Sequence, residues 1–548
     1  MNKIFYSIFF TLILFQIVAQ NRNIGTLSLV HKTTRSGSSP AGKVDSNKYY
    51  RALKVFNRLV EARGDQRYQV PSLIMSKSED AVASMDYKKC EIDLEEKAFD
   101  VCAKFGNEVQ VEAAISFLLG HELTHYYEKH AWKRGFVEDF KDLHIGMKLD
   151  SIQDDVAKET EADYLGGFLS YTAGYGFFDQ TANVIKALYK AYGLPEKMRK
   201  YPSLSDRVKM SERTLNKLKE LIQVFDMANL MTAIGNYKDA YEYYKYVLVD
   251  YQSREIYNNL GVTALLDGMS YFNSDELKYR YPIQIDLNSD SRGTNEETRK
   301  LLIKQAILQF DAAISLDPNY ATAYLNKACA YSVLGDYDRA LFYADKEAKS
   351  IAQKNNNSKT LVDIDILIGI IEAMKGKTEN AKKLFQTAIQ NGSTLAGINM
   401  KILNKEELGV EKESFGGFSK KETIDAQNLT NLRLEGIFSD MKTILIGNKV
   451  NFSKVNNQGP GSFLYVNEGE KNGVSNNIYL HGTKANYQGE TSRKIKVGSS
   501  YDELIKAYGN PKSTLETPVG QILVYKSIIF VLGKENKIER WIIYEIAT

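Results

Sequence analysis

His121-Glu122-Leu123-Thr124-His125 is a five-residue stretch with the residue types and spacing of a metal site. On a helix, residues i and i+4 lie on one face, a turn apart. Two imidazoles so placed can close on one Zn2+ at about 2.1 Å. Glu122 is rotated off that face and can take a proton from water beside the metal without binding the metal itself. The chain has only six histidines, and chance would supply on the order of 0.01 such motifs. The bland alternative is an exposed, salt-bridged helix surface. Against it, Ala113, Ile115, Phe117, Leu118 and Leu119 make the preceding turns apolar almost all round, the pattern of a buried helix. A buried polar triplet needs a partner, and a metal supplies one.

Two histidines need a third ligand. Downstream the chain reads Lys158-Glu159-Thr160-Glu161-Ala162-Asp163, with Glu159 and Asp163 again i and i+4. On a helix Glu159 can point at the metal while Asp163, one turn on, receives an imidazole N–H. Glu161 is the competing ligand, and it faces away from Glu159. An acidic helix surface is the commoner meaning of such a pair. It yields here because the two-histidine site otherwise lacks a ligand.

Elements must hold these groups in place. Residues 40–64 have a helical pattern, and Val109 to His130 forms a long apolar helix. Tyr68-Gln69-Val70 and Phe99-Asp100-Val101 look β-like. His31, His144 and His481 show no ligand spacing, His130 lies off the metal face, and Glu128 reads as solvated. Before all of this, Lys3 precedes an apolar run from Ile4 to Ala19, then polar Gln20 to Asn23. That is the pattern of a cleaved secretory signal over residues 1–20, too short for a membrane anchor. A periplasmic or secreted protein follows, with no span after cleavage and at most peripheral envelope association. Three cysteines are no disulfide scaffold,. In that compartment Cys90 and Cys102 could pair across a strand–turn–strand, restraining the unfolded chain by about 3 kcal/mol, or stay free. Cys329 sits in a helical pattern as a small buried hydrophobe.

From about 220 to 405 the pattern is helical and repeats. Ala306, Phe310 and Ala313 are followed by Pro318, and Ala381, Phe385 and Ala388 recur in the same register. Gly335-Asp336-Tyr337 precedes Ala340, and Gly235-Asn236-Tyr237 precedes Ala240. Ala381 stands at the same distance from Gly376, and Tyr257, Leu260 and Gly261 fit the first helix of another unit. Small residues let paired helices approach, aromatics fill the gap and Gly turns the chain; many of the 35 tyrosines belong here. Asp267 to Arg299 interrupts one unit. This region resembles the tetratricopeptide repeat family, whose 34-residue helix pairs stack into solenoids that bind peptides or partner proteins.

Residues 406–430, including Ser414 to Glu422, read as a linker, and 431–548 as a small α+β domain. Ser500 caps a helix with Glu503 three residues on. Ile522 to Tyr525, Ile528 to Leu532 and Arg540 to Tyr544 read as three strands, with a turn at Gly533 to Asn536. This end is similar to the small module of outer-membrane assembly lipoproteins. No titratable cluster marks a site in it.

HExxH followed by ExxxD with Ala-Asp-x-x-Gly resembles the gluzincin family of the CAAX prenyl protease and the HtpX heat-shock protease. The resemblance covers roughly residues 40–215. Its soluble periplasmic branch, the β-barrel assembly-enhancing protease type, also carries tetratricopeptide repeats. The resemblance implies zinc on His121, His125 and Glu159, Glu122 as general base and Asp163 behind a ligand. Family members often carry His-Pro with an Arg downstream. Here Tyr201-Pro202 precedes Arg207, and a phenol can donate to an oxyanion as an imidazole does. The Asn-Ala-rich strand common before the catalytic helix is not evident; the chain reads Ala81-Val82-Ala83-Ser84-Met85.

The expectation is an α+β multidomain protein: a mainly helical zincin-type peptidase domain over 21–215, an α-solenoid over 220–405 and a small C-terminal α+β domain. It is a zinc metalloendopeptidase, one Zn2+ per chain, acting on protein or peptide substrates held by its repeats. The catalytic set is Glu122, Tyr201 and Arg207. The alternative is an inactive repeat adaptor or scaffold that binds partner proteins. Ordinary globular composition, with 43% hydrophobic and 25% charged residues, excludes a disordered or multi-span membrane chain,. A net charge of +3 gives no electrostatic case for nucleic acid,.

Overall fold

The computed structural model describes residues 27–28, 44–79, 81–129, 155–197, 203–273, 275–283, 296–407, 422–429 and most of 441–547. The signal segment 1–20, Tyr201, His31, His130 and His144 lie outside the described residues.

The front region is a small sheet against a buried helix. Strands β1 (Leu27–Ser28), β2 (Ser72–Ser76), β3 (Ala83–Asp86) and β4 (Glu91–Glu95) order as β1-β3-β4-β2, with β2 parallel to β4 and the other pairs antiparallel. Helix α1 (Ser46–Arg63) starts where the Asp45 side chain accepts from Asn47 N–H and stops at Gly64, whose φ of 55° is left-handed backbone that favours glycine,. It buries Ala52, Val55, Phe56 and Leu59. Helix α2 (Glu96–Cys102) corrects the β-like reading of Phe99 to Val101: Ala98 and Cys102 share its buried face. Tyr68 to Val70 is irregular and leads into β2. Cys90 and Cys102 are both free, since Cys90 sits in the β3–β4 turn and Cys102 is buried at the end of α2.

Helix α3 (Glu108–Tyr127) opens with a capping box between Asn107 and Gln110 and is buried along nearly its whole length,. Helix α4 (Asp155–Ser170) crosses it, and α5 (Thr181–Tyr192) follows. Helix α6 runs unbroken from Leu204 to Ala233. The expected boundary at 215–220 therefore falls inside one helix. Leu218, Leu221 and Phe225 continue its buried stripe, so nothing stops it.

The repeats follow as antiparallel helices: α7 (Tyr237–Asp250), α8 (Arg254–Met269), α9 (Glu296–Leu316), α10 (Ala321–Val333), a composite α11 (Tyr337–Leu341, Phe342–Ala348 and Lys349–Lys354), α12 (Ser358–Met374), α13 (Thr378–Gln390) and α14 (Thr394–Leu403). Phe310 packs on Gly261 and Phe385 on Gly369, so tightly that a Cβ at either glycine would meet a ring carbon at 2.6 Å. The small and aromatic positions of the repeat therefore face each other. Among the described residues no helix is long and apolar enough to cross a membrane.

The C-terminal sheet is larger than the three strands expected. It has β5 (Met441–Ile446), β6 (Val450–Val455), β7 (Ser462–Glu468), β10 (Asn477–Thr483), β11 (Ser513–Thr517), β12 (Gly520–Val524), β13 (Ile528–Gly533) and β14 (Ile538–Ala547), all antiparallel. Their order is β11-β12-β13-β14-β10-β7-β6-β5. The short strands β8 (Glu470–Lys471) and β9 (Val474–Ser475) pair apart from it. Helix α15 (Tyr501–Tyr508) has the expected Ser500–Glu503 capping box. Residues 422–429 are not linker: Ile424 and Leu429 join this core, and Glu422 accepts from Tyr508 Oη at 2.7 Å. The sheet docks on α6 and α7. Arg540 and Tyr171 both bind Asp226 of α6, and Asn467 sits between Tyr243 and Asp239.

Candidate metal centre

Helix α3 delivers His121, Glu122 and His125, and α4 delivers Glu159 and Asp163. Two glycines let the helices meet. A Cβ on Gly166 would lie 2.7 Å from the Gly120 carbonyl carbon, and one on Gly120 would lie 2.8 Å from Gly166 O. Only backbone contact at that crossing brings the carboxylates within reach of the imidazoles. Sequence reading noted Gly166 as part of a motif and missed Gly120. The signal available was a small residue next to His121, facing another on the helix that carries the third ligand.

The three predicted ligands converge. His121 Nε2 and His125 Nε2 lie 2.9 Å apart. Glu159 spans both, with Oε2 at 3.5 Å from His121 and Oε1 at 3.5 Å from His125. Ligand atoms at about 2.05 Å around a tetrahedral zinc would be about 3.3 Å apart. The three separations bracket that value, and the donor set of two imidazoles and a carboxylate suits zinc. His121, His125 and Glu159 form the one such group of three among the described residues, and all are buried. Glu161 is half-buried and outside the triangle.

The supporting contacts are also in place. Asp163 Oδ1 lies 2.8 Å from His121 Nδ1, fixing the ring so that Nε2 faces the other ligands,. Arg207, on the first turn of α6, donates from Nη1 to Glu159 Oε2 at 3.0 Å and places Nη2 3.6 Å from Asp163 Oδ2. Expected in the catalytic set, Arg207 instead stands behind the two carboxylates and positions them. Below Asp163 lies a cavity of about 20 Å3, lined by Ser170, Thr181, Ser211 and Thr214 among others.

Electrostatics follow from this cluster. Burial works to lower the His121 pKa, but the hydrogen bonds to Asp163 and Glu159 outweigh it and push it up to about 10. Burial would raise both carboxylates. His121 and the Arg207 charge hold Glu159 below its ordinary value, and the same two groups, Arg207 foremost, do so for Asp163. Both carboxylates are therefore ionised and available as acceptors.

At its end α3 is tied into the rest of the molecule. Glu128, expected in solvent, accepts from Arg63 Nη2 at 3.0 Å. The Arg63 guanidinium also lies 5.1 Å from the Tyr127 ring and 5.3 Å from the ring of Tyr251, at the α7–α8 junction. Tyr126 Oη donates to Gln69 O at 2.6 Å.

Comparison with known proteins bears on the repeats. The tetratricopeptide repeat family matches residues 310–342, from Phe310 of α9 to Phe342. The chain is similar to tetratricopeptide repeat protein 36 of Xenopus tropicalis, 36% identical over 101 residues. That match covers 18% of this chain and 48% of the relative, so it spans about half of the relative's length. A solved monomeric IFIT1 mutant with m7Gppp-AAAA aligns at 16% identity and a TM-score of 0.28, over 57% of this chain and 66% of that one. The chain thus carries tetratricopeptide repeats, in keeping with protein partners.

Proposed function

We propose that this protein is a zinc metalloendopeptidase whose repeats hold its protein substrates. The observation that carries this reading is the buried triangle of His121, His125 and Glu159, backed by Asp163 and Arg207. Zinc held there would polarise a scissile carbonyl and acidify water. Glu122 follows His121 on α3 and is buried beside it. Its carboxylate takes the proton of the attacking water and passes it to the leaving amine. Asp163 keeps the His121 ring oriented, and Arg207 keeps Glu159 in register with both imidazoles. The Tyr201 phenol would donate to the developing oxyanion. Residence outside the cytoplasm, behind a cleaved signal, belongs to the same proposal.

A second reading has its own support: a repeat scaffold for partner proteins, with no catalysis. The comparisons favour it, because the family match lies wholly in the repeats. His121, Glu122 and His125 are each 0% exposed, and a closed site is the habit of structural zinc.

Zinc content and cleavage of an unfolded protein such as casein, measured for the full chain and for Glu122→Gln, separate the readings. The peptidase predicts about one zinc per chain in both proteins. It also predicts cleavage that falls at least about 100-fold in Glu122→Gln. Zinc without Glu122-dependent cleavage leaves a zinc-stabilised scaffold. A chain that takes up no zinc leaves the adaptor.

A further inference from the structure

The interruption between α8 and α9 does not simply loop away from the repeats. Helices α8, α10, α12 and α14 are the first members of successive pairs and pack side by side. Tyr279 to Ile283, with neither helix nor strand, lies across this row. Asn399 of α14 grips its backbone. Arg280 N–H donates to Asn399 Oδ1 at 2.8 Å, and Asn399 Nδ2 donates to Arg280 O at 2.8 Å. Tyr281 Oη lies 3.2 Å from Ser332 Oγ on α10. Tyr279 and Tyr281 pack against the cluster of Ile366, Ile370, Phe385 and Ala396. Pro282 and Ile283 are buried, while Arg280 is exposed. Both tyrosines thus meet the helices while Arg280 turns outward, and Pro282 restricts Tyr281 to extended backbone,.

We propose that Tyr279–Ile283 is an internal occupant of a peptide-binding groove on the repeat arm. The partner for that groove is an extended segment with aromatic residues two apart, which takes the same contacts. The Asn399 side chain is fully buried. Its amide sits mid-helix, and both of its polar groups are satisfied by the N–H and C=O of a single residue. With the segment lifted away, both groups would lose these bonds and fall back on water. The groove is thus built for a backbone at that position. Backbone pairing of this kind does not depend on sequence; the places taken by the two tyrosines supply specificity. An internal occupant lowers the apparent affinity for an outside segment by the fraction of time the groove is open. This inference rests on the repeats as a protein-binding arm and not on the metal, so it stands or falls separately from zinc and cleavage.

The test is fluorescence anisotropy with a labelled peptide, Leu-Lys-Tyr-Arg-Tyr-Pro-Ile, which copies residues 277–283. Full chain in which residues 278–283 are replaced by Gly and Ser of equal length should bind it at least about tenfold tighter than the unaltered chain. Adding Asn399→Ala to that protein should remove the gain, and a peptide with Ser for both Tyr should bind at least about tenfold more weakly. Tyr281→Ser in the full chain is the milder way to open the groove and should give a smaller gain. Circular dichroism checks folding of each. A folded, replaced chain that binds no better than the unaltered one, or a gain that survives Asn399→Ala, overturns the proposal. So does failure of both altered chains to fold, because the segment is then a fixed part of the arm's core.

Discussion

Gly120 and Gly166 touch backbone to backbone where α3 crosses α4, one residue before the first histidine and three after Asp163. The atoms a Cβ on Gly166 would meet are Gly120 C, Gly120 O and His121 N, at 2.7–2.8 Å. None of these can rotate away. Gly166→Ala should therefore push the helices apart, costing about 1–3 kcal/mol and loosening zinc. The neighbour is a control. A Cβ on Gly167 meets mainly Leu218 Cδ2, the end of a flexible side chain. Gly167→Ala should cost less in thermal unfolding and leave zinc affinity nearly unchanged. Equal effects at the two positions would show that the crossing does not set the site.

Glu159→Gln should weaken zinc much more than Glu161→Gln, because only Glu159 faces both imidazoles. Asp163→Asn should fall between them, at about 10–100-fold, since it orients His121 without touching the metal,. Competition with a chelator of known affinity gives all three constants. Zinc loss that is as large for Glu161→Gln as for Glu159→Gln would show that the ligand is misassigned.

Much of this site was legible in the chain because helical periodicity alone puts His121 with His125 and Glu159 with Asp163. The repeats were legible for a related reason: Ala306, Phe310 and Ala313 are a packing rule written in residue sizes. What was not legible depends on distant partners. Phe99 to Val101 has β-favouring side chains, yet Ala98 and Cys102 bury one helical face. Glu422 looks like linker until Tyr508 and Ser492 are brought to it. Asn399 carries no local signal at all, because its partner lies 119 positions away in the chain.

His481 of β10 gives a pH prediction in the C-terminal sheet. It is buried, and its Nδ1 has no hydrogen-bond partner among the described residues. Burial lowers its pKa to about 4. The folded state thus holds fewer protons than the unfolded state between pH about 4 and the ordinary value of about 6.5. Its contribution to stability is complete above about 6.5 and is lost as pH falls toward 4, reaching roughly 3 kcal/mol. Thermal melts at pH 7.5, 6, 5 and 4.5 should show a drop that is shallower in His481→Leu. Parallel curves for the two proteins would sink this assignment.

The continuity of α6 governs how the front region can be separated from the repeats. A cut near residue 215 looks natural from the sequence, but it falls in the middle of the helix Leu204–Ala233. The first turn of that helix supplies Arg207 to Glu159, while Leu218 packs over Gly167 of α4. Further along, Asp226 receives Tyr171 from the front region and Arg540 from the C-terminal sheet. A fragment ending at 215 would keep Arg207 on a helix stripped of the buried residues that hold it down. Short helices without tertiary packing are marginal in water. We therefore expect that fragment to be destabilised and to hold zinc at least about tenfold more weakly than the full chain. A cut after residue 250 keeps α6 with α7 and should restore much of the zinc affinity. Asp226→Ala in the full chain should act in the same direction more mildly, lowering the melting temperature without abolishing zinc. Zinc titration and circular dichroism on these proteins decide it. If the 215 fragment is folded and binds zinc as tightly as the full chain, α6 beyond Leu215 plays no part in holding the site, and Arg207 must be positioned by the front region alone.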